Sequence, residues 1–481
     1  MNPSLVAIII AGYFLVLILI SWFTSRNADS ESFYTGNRQS PWFLVAFGMI
    51  GASLSGVTFI SVPGEVGNSS WFYFQMVLGY LLGYFVIAMV LLPLYYRLNL
   101  VSIYGFLEQR FGFWAYKSGA FFFLVSRVIG AAFRLFLVAG VLQIAFFDAF
   151  GLPFWVSVVT AVLLIWIYTF RGGIKTIVWT DTLQTTFMIL SVIVSIYFIK
   201  DSLDWSWGQV VSKVWDDSRS DIFIFDWQHS RNFFKQFFAG AFIAIVMTGL
   251  DQDMMQKNLT CKNLKEAQKN VFWFSTILVF VNLLFLALGV LLYQYADAMS
   301  IALPERSDSL FPMLAVNHFN IISGVVFLLG ITAAAYSSAD SALTALTTSF
   351  CVDFLGFNAE NFEQRKKMRV IVHLGFSILL IIVILVFDAI NSQSVINSIF
   401  TAAGYTYGPL LGMFTFGIYT QRQVTDKYVP MVCLAAPILS YLINLNSETL
   451  LGGYQFGFEI VILNGLLTFI GLSLITNKAG K

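Results

Sequence analysis

About thirteen stretches of this chain are apolar for long enough to cross a lipid bilayer, and little sequence separates them. They fall at roughly 4–23, 42–64, 72–95, 118–147, 153–170, 177–199, 234–256, 271–295, 321–350, 370–389, 395–420, 428–446 and 457–476. In hydrocarbon each backbone N–H and C=O must find its partner inside the segment, so helices are expected rather than open strands. Composition agrees: 58% hydrophobic and 11% charged residues leave too little polar surface to cover a water-soluble chain of this length. The first stretch has no basic leader, is too long for a signal sequence and precedes no small-residue cleavage site, so a retained helix is expected. Cys261, Cys351 and Cys433 are scattered, as are His229, His318 and His373. That excludes a disulfide framework, a His/Cys metal cluster and the nucleophile–base set of a membrane enzyme. A net charge of +1 and no basic tail give no pull toward nucleic acid.

Lys and Arg set the orientation. With the N-terminus outside, nineteen of the 27 fall on inner loops, among them Lys257, and six on the two longest outer loops. The short outer loops carry none, so an outside N-terminus and a cytoplasmic C-terminus are expected.

Two spans read as interrupted. Residues 47–64, FGMIGASLSGVTFISVPG, are rich in Gly and Ser; residues 239–256, AGAFIAIVMTGLDQDMMQ, carry Gly249 and end in acids. Each opens a run of five apolar stretches. Paired, Gly-interrupted helices in matching places point to an inverted-repeat transporter, although Gly also serves plain close packing of helices.

Ionisable groups at membrane depth are costly and imply a partner or a water path. Arg127, Arg134, Asp181 and Asp340 stand out; Asp251 and Asp253 lie nearer an inner end, where solvation is expected. Asp340 belongs to AAAYSSADSALTALTTS (residues 333–349), where Ala334, Ser337, Ser338 and Ser341 share a helix face. Serines alone fit helix packing; with the acids, the set suits a hard cation such as Na⁺. Arg127 and Arg134, seven apart, also share a face. One of them can meet a substrate carboxylate bidentately, or both can pair with acids of the protein.

The combination of GASLSGVTFISVPG, FRGGIKTIVWTDTLQ, QKNLTCKNLKEAQK and AAAYSSADSALT resembles the sodium:solute symporter family, the group of the sodium/glucose, sodium/proline and sodium/sialic acid transporters. The resemblance spans nearly the whole chain. It implies an all-α polytopic membrane protein of about 13 transmembrane helices with a LeuT-like 5+5 inverted-repeat core. The chain would be a single transporter domain over 1–481: an extra N-terminal helix at 4–23, five-helix repeats at 42–200 and 234–420, and two C-terminal helices at 428–476. The implied function is Na⁺-coupled uptake of a small organic solute by alternating access across the plasma membrane, by a monomer, with Na⁺ the co-transported ion.

The family's main sodium site maps onto the carbonyls of Gly51 and Leu54 with Ala334, Ser337 and Ser338. The acid of the WTD motif, Asp181, lies close to that site in relatives, and a second cation site is expected from Asp181, Asp340 and Ser341. Asp340 departs from the family pattern, which has a serine there. Substrate residues would be Ser53, Ser55, Thr58, Gln75 and Arg127, with Met247 and Tyr405 as gates. Met247 stands where sugar-carrying relatives have an aromatic gate. Arg127 favours an organic anion such as a sialic acid or a monocarboxylate. A sugar or polyol, and H⁺ coupling through Asp340, stay open as alternatives.

Overall fold

The computed structural model describes residues 3–25, 41–98, 102–169, 174–357, 366–390 and 394–476. Within the helices, the side chains of 3, 20–25, 167–169, 174–180, 335, 337, 338, 340 and 366 also lie outside the description. Helix occupies each of the apolar stretches, and the described residues hold no strand beyond one isolated bridge, Val424 to Thr476.

The first helix is α1 (Pro3–Ser25). The next stretch is two helices, α2 (Trp42–Ser53) and α3 (Gly56–Ser69), separated by Leu54 and Ser55. Ser55 adopts φ −15°, ψ 175°, which no helix tolerates. Helix α4 (Tyr73–Val86) passes through a widened turn at Ile87–Leu91 into α5 (Leu92–Leu98). After the short α6 (Gly105–Arg110) come α7 (Phe113–Ala145), α8 (Phe154–Thr169) and α9 (Ile174–Ser202). The segment after α9 carries α10 (Trp207–Trp215).

The second run starts with α11 (Phe233–Ala244), a widened turn at Ile245–Gly249 and α12 (Gln252–Leu259); the two arms bend by 70°. It continues through α13 (Leu264–Ala298), α14 (Leu310–Asn317), α15 (Ile321–Ser349) and α16 (Lys366–Ile390). Helices α17 (Val395–Thr406) and α18 (Gly408–Tyr419) meet at Tyr407, with Pro409 in the first turn of α18, where its missing N–H costs nothing. Helices α19 (Val429–Leu445) and α20 (Ile460–Leu474) close the chain.

Both expected interruptions are real, and they differ in a way that bears on function. At the α11–α12 break the freed carbonyls are taken by tyrosines. Tyr95 donates to the Gly249 carbonyl at 2.8 Å and Tyr104 to the Leu250 carbonyl at 3.0 Å. Gln252 accepts from the Ile103 amide at 2.9 Å, so this end of the break is tied to the α5–α6 connection. At the α2–α3 break, Ser55 stands outside both helices, and its amide is the one that would close on the Gly51 carbonyl in a continuous helix.

Small residues let the helices approach where lipid provides no hydrophobic drive. Helices α4 and α11 interlock through Gly79, on which a methyl group would fall onto the Phe237 carbonyl, and Gly240, where it would fall onto the Met76 carbonyl. Because the obstacle is backbone, it cannot rotate aside. Gly240→Ala is expected to cost about 3 kcal/mol or more, at the upper end of overpacking penalties. Gly130→Ala, with nothing within 4 Å of the added carbon, should be neutral. Size-exclusion profile and apparent melting temperature in detergent check the pair; equal behaviour would contradict the interlock.

Candidate functional site

A cavity of about 90 Å³ lies between the two breaks. Ser53, Ser55 and Thr58 reach it from the α2–α3 break, Met247 and Thr248 from the α11–α12 turn, and Asn282 from α13. Tyr73, Tyr80 and Tyr84 line it from α4, Arg127 and Arg134 from α7, and Ser341 from α15. The Tyr84 hydroxyl lies 3.4 Å from Thr248 Oγ1, and the Tyr73 and Tyr80 hydroxyls are 3.1 Å apart.

The two arginines have separate fates. Arg127 is ion-paired within the protein: Nη2 donates to Asp253 at 2.6 Å and Nη1 to Asp251 at 3.5 Å, with side chains 7%, 12% and 0% exposed. Tyr407 donates to the same Asp251 oxygen at 3.3 Å, and Asp251 Oδ1 caps α12 by accepting from the Met254 amide at 3.1 Å. Two expectations are corrected here. Asp251 and Asp253 are buried rather than solvated, and Arg127 is spent on neutralising them rather than open to a substrate carboxylate. Two turns further along α7, Arg134 lines the cavity with no ion pair among the described residues, and its buried Nε has no hydrogen-bond partner there. Asn282 faces the cavity with a matching deficit: Nδ2 donates to the Leu278 carbonyl at 2.8 Å, while the buried Oδ1 accepts from none of the described residues. Asn282 and Thr248 carried no sequence signal, since one amide or hydroxyl in an apolar helix is more often a packing contact.

Gln75 does not line the cavity. Its Nε2 donates to the carbonyls of Phe72 at 3.2 Å and Arg231 at 3.0 Å, and its Oε1 accepts from the Ile224 amide at 3.2 Å, which ties the 203–232 loop to α4. Tyr405 does not line that cavity; it lines a separate one of about 510 Å³ with Glu65 and Asp308, and accepts a hydrogen bond from Asn444 at 2.8 Å. Tyr407 is the tyrosine that reaches Asp251.

For sodium, Gly51 and Leu54 are buried at the α2–α3 break, and α2 and α3 both pack against α15, which carries the fully buried Ala334. The side chains of Ser337, Ser338 and Asp340 lie outside the described residues. Gly51 also abuts α9: an added methyl would collide with Thr185 Oγ1 and come within 3.3 Å of the Asp181 carbonyl. Of the expected second cation site, the Asp340 side chain lies outside the described residues and the Asp181 carboxylate is already paired: it accepts from the Lys257 ammonium at 3.0 Å, both side chains buried, while Ser341 lines the central cavity with Asp253. Lys257, expected on an inner loop, lies inside the helix bundle.

Two spanning helices broken around one small polar cavity are the arrangement of a secondary transporter. The chain belongs to the sodium:solute symporter family, whose model matches residues 33–427. It is similar to the sodium/sialic acid symporter NanT of Aliivibrio fischeri, 24% identical over 83% of this chain and 80% of that protein. It is also similar to the sodium/sialic acid symporter SiaT of Proteus mirabilis (25%; 86% and 84%) and to the Homo sapiens sodium/iodide cotransporter (24%; 85% and 65%). The fold matches a solved outward-open Na⁺-coupled sialic acid symporter with a TM-score of 0.79 at 20% identity, covering 98% of this chain and 97% of that one. The nucleobase-cation symporter Mhp1 in a closed conformation matches at 0.56 and 14% identity, over 92% and 94%. This is a multi-pass, LeuT-fold, Na⁺-coupled symporter and not an enzyme.

Proposed function

We propose that the protein imports a small organic anion together with Na⁺, the carboxylate being met by Arg134. The observation that carries this reading is the Arg134 guanidinium, which lines the central cavity with no ion pair among the described residues while every other described charge there has one. A cation held at membrane depth without a counterion is costly until an anion arrives, which makes anion binding favourable. The Asn282 carbonyl oxygen supplies an acceptor for a donor on the same solute, such as a hydroxyl. The cavity of about 90 Å³ is well below the roughly 300–1,000 Å³ of pockets for drug-sized ligands, which favours a small hydroxycarboxylate over a nine-carbon sialic acid. Sodium is held by the Gly51 and Leu54 carbonyls with Ala334, Ser337 and Ser338. Ser53, Ser55 and Thr58 complete the solute site, and Met247 closes it. The chain works as a monomer in the plasma membrane, N-terminus outside and C-terminus cytoplasmic, with 42–200 and 234–420 as its two repeats.

The test is a thermal-shift screen of purified protein against monocarboxylates, hydroxycarboxylates, sialic acids, sugars and amino acids, with Na⁺ or with choline. Stabilisation by a small carboxylate only in Na⁺ is expected. Stabilisation by neutral sugars alone would overturn the anion reading.

A further inference from the structure

We propose that the Lys257 ammonium is a built-in cation occupying the second cation place beside Asp181, so that the transporter binds and carries a single Na⁺ per cycle. The inference rests on the Na⁺-symport reading and deepens it.

Asp181 projects from α9 with only 2% of its side chain exposed, and a carboxylate so placed must be neutralised. The expected neutraliser was a transported ion. The structure supplies a covalently attached one: Lys257, from the last turn of α12, places Nζ 3.0 Å from Asp181 Oδ2 with its own side chain 3% exposed. The reach is deliberate in its anchoring. Thr260 Oγ1 donates to the Lys257 carbonyl at 2.7 Å, and Asn258 Nδ2 donates to the Met254 carbonyl at 3.2 Å, so the α12 backbone beneath the lysine is pinned.

An ammonium and a sodium ion carry the same charge and seek the same oxygen partners. An ammonium, with three donors, satisfies a carboxylate as a desolvated ion does. With Lys257 in place, Asp181 has spent its charge, and a second Na⁺ approaching it would meet a like charge at hydrogen-bond range in a low-dielectric interior. The pair also lies next to the first sodium position, since Gly51 packs on the same turn of α9 that carries Asp181 and Thr185. A lysine tethered to α12 cannot leave with the cargo, so Asp181 stays neutralised whether or not Na⁺ is bound.

The experiment counts ²²Na⁺ bound at equilibrium to the full-length protein in detergent, without solute. The wild type is expected to bind one ion per chain. Lys257→Met should raise the count to two and the Hill coefficient for Na⁺-dependent thermal stabilisation from one toward two. Adding Asp181→Asn to Lys257→Met should return both to one. Lys257→Gln repeats the measurement if the methionine variant does not fold. A wild-type count of two, or a count of one in both lysine variants, overturns the proposal. A wild-type count of zero removes the Na⁺-symport reading and this proposal with it, so the two failures are told apart.

Discussion

Arg134→Ala is expected to abolish Na⁺-dependent uptake of a small carboxylate while leaving a folded, monodisperse protein that still binds Na⁺. Truncating one partner of a buried, hydrogen-bonded charge pair at a binding interface costs about 2–5 kcal/mol, roughly 30-fold or more in affinity. Here that loss falls on the solute complex alone. No carboxylate among the described residues pairs with Arg134, so its removal orphans no described acid. Arg134→Lys keeps the charge but not the planar fork, and should transport with a raised apparent KM and a smaller loss than alanine. The measurement is uptake into proteoliposomes under an inward Na⁺ gradient, with Na⁺ binding as the control. Undiminished uptake by Arg134→Ala would remove the guanidinium from the solute site.

The architecture was legible in the sequence because lipid permits so few solutions. Runs of about twenty apolar residues must be helices, and the Gly- and Ser-rich stretch in one of them and Gly249 followed by acids in another marked the breaks at Leu54–Ser55 and Leu250–Asp251. The pairing of charges was not legible. Arg127 and Arg134 share a helix face, and the distinction between them is set by which of the two levels of α7 faces the turn of α12 bearing Asp251 and Asp253. Spacing along one helix says nothing about the height of another. Lys257 was misplaced for a related reason. It sits in a polar stretch, QKNLTCKNLKEAQK, that reads as a loop, and only the 70° bend carries α12 back under the bundle, so that its lysine turns inward to Asp181. Gln75 was misassigned because a glutamine in an apolar helix reads the same whether it meets a solute or three backbone groups of its own protein.

Arg127→Ala is expected to destabilise the protein by about 3–5 kcal/mol, the range found when one partner of a buried ion pair is removed. The cost arises from what remains. Asp251 is fully buried and Asp253 nearly so, and without the guanidinium two carboxylates at the start of α12 lose the cation that hydrogen-bonds both of them, with the Tyr407 hydroxyl and the Met254 amide among the partners left to Asp251. The break is also where Tyr95 and Tyr104 hold the freed carbonyls of Gly249 and Leu250. Charge repulsion therefore acts on the turn that closes one side of the cavity, and the variant should show both a lower apparent melting temperature and poor recovery of monodisperse protein. Neutralising the acids discriminates this from a lost substrate contact. Adding Asp253→Asn and Asp251→Asn to Arg127→Ala should restore most of the stability, because the replacement amides keep much of the shape without the charge. If Arg127 were a substrate clamp, the triple variant would be no more stable than the single one, and Arg127→Ala itself would melt like the wild type in the absence of solute. That result, together with unchanged melting in Asp253→Asn, would mean that the Arg127–Asp253 contact at 2.6 Å does not hold the break together.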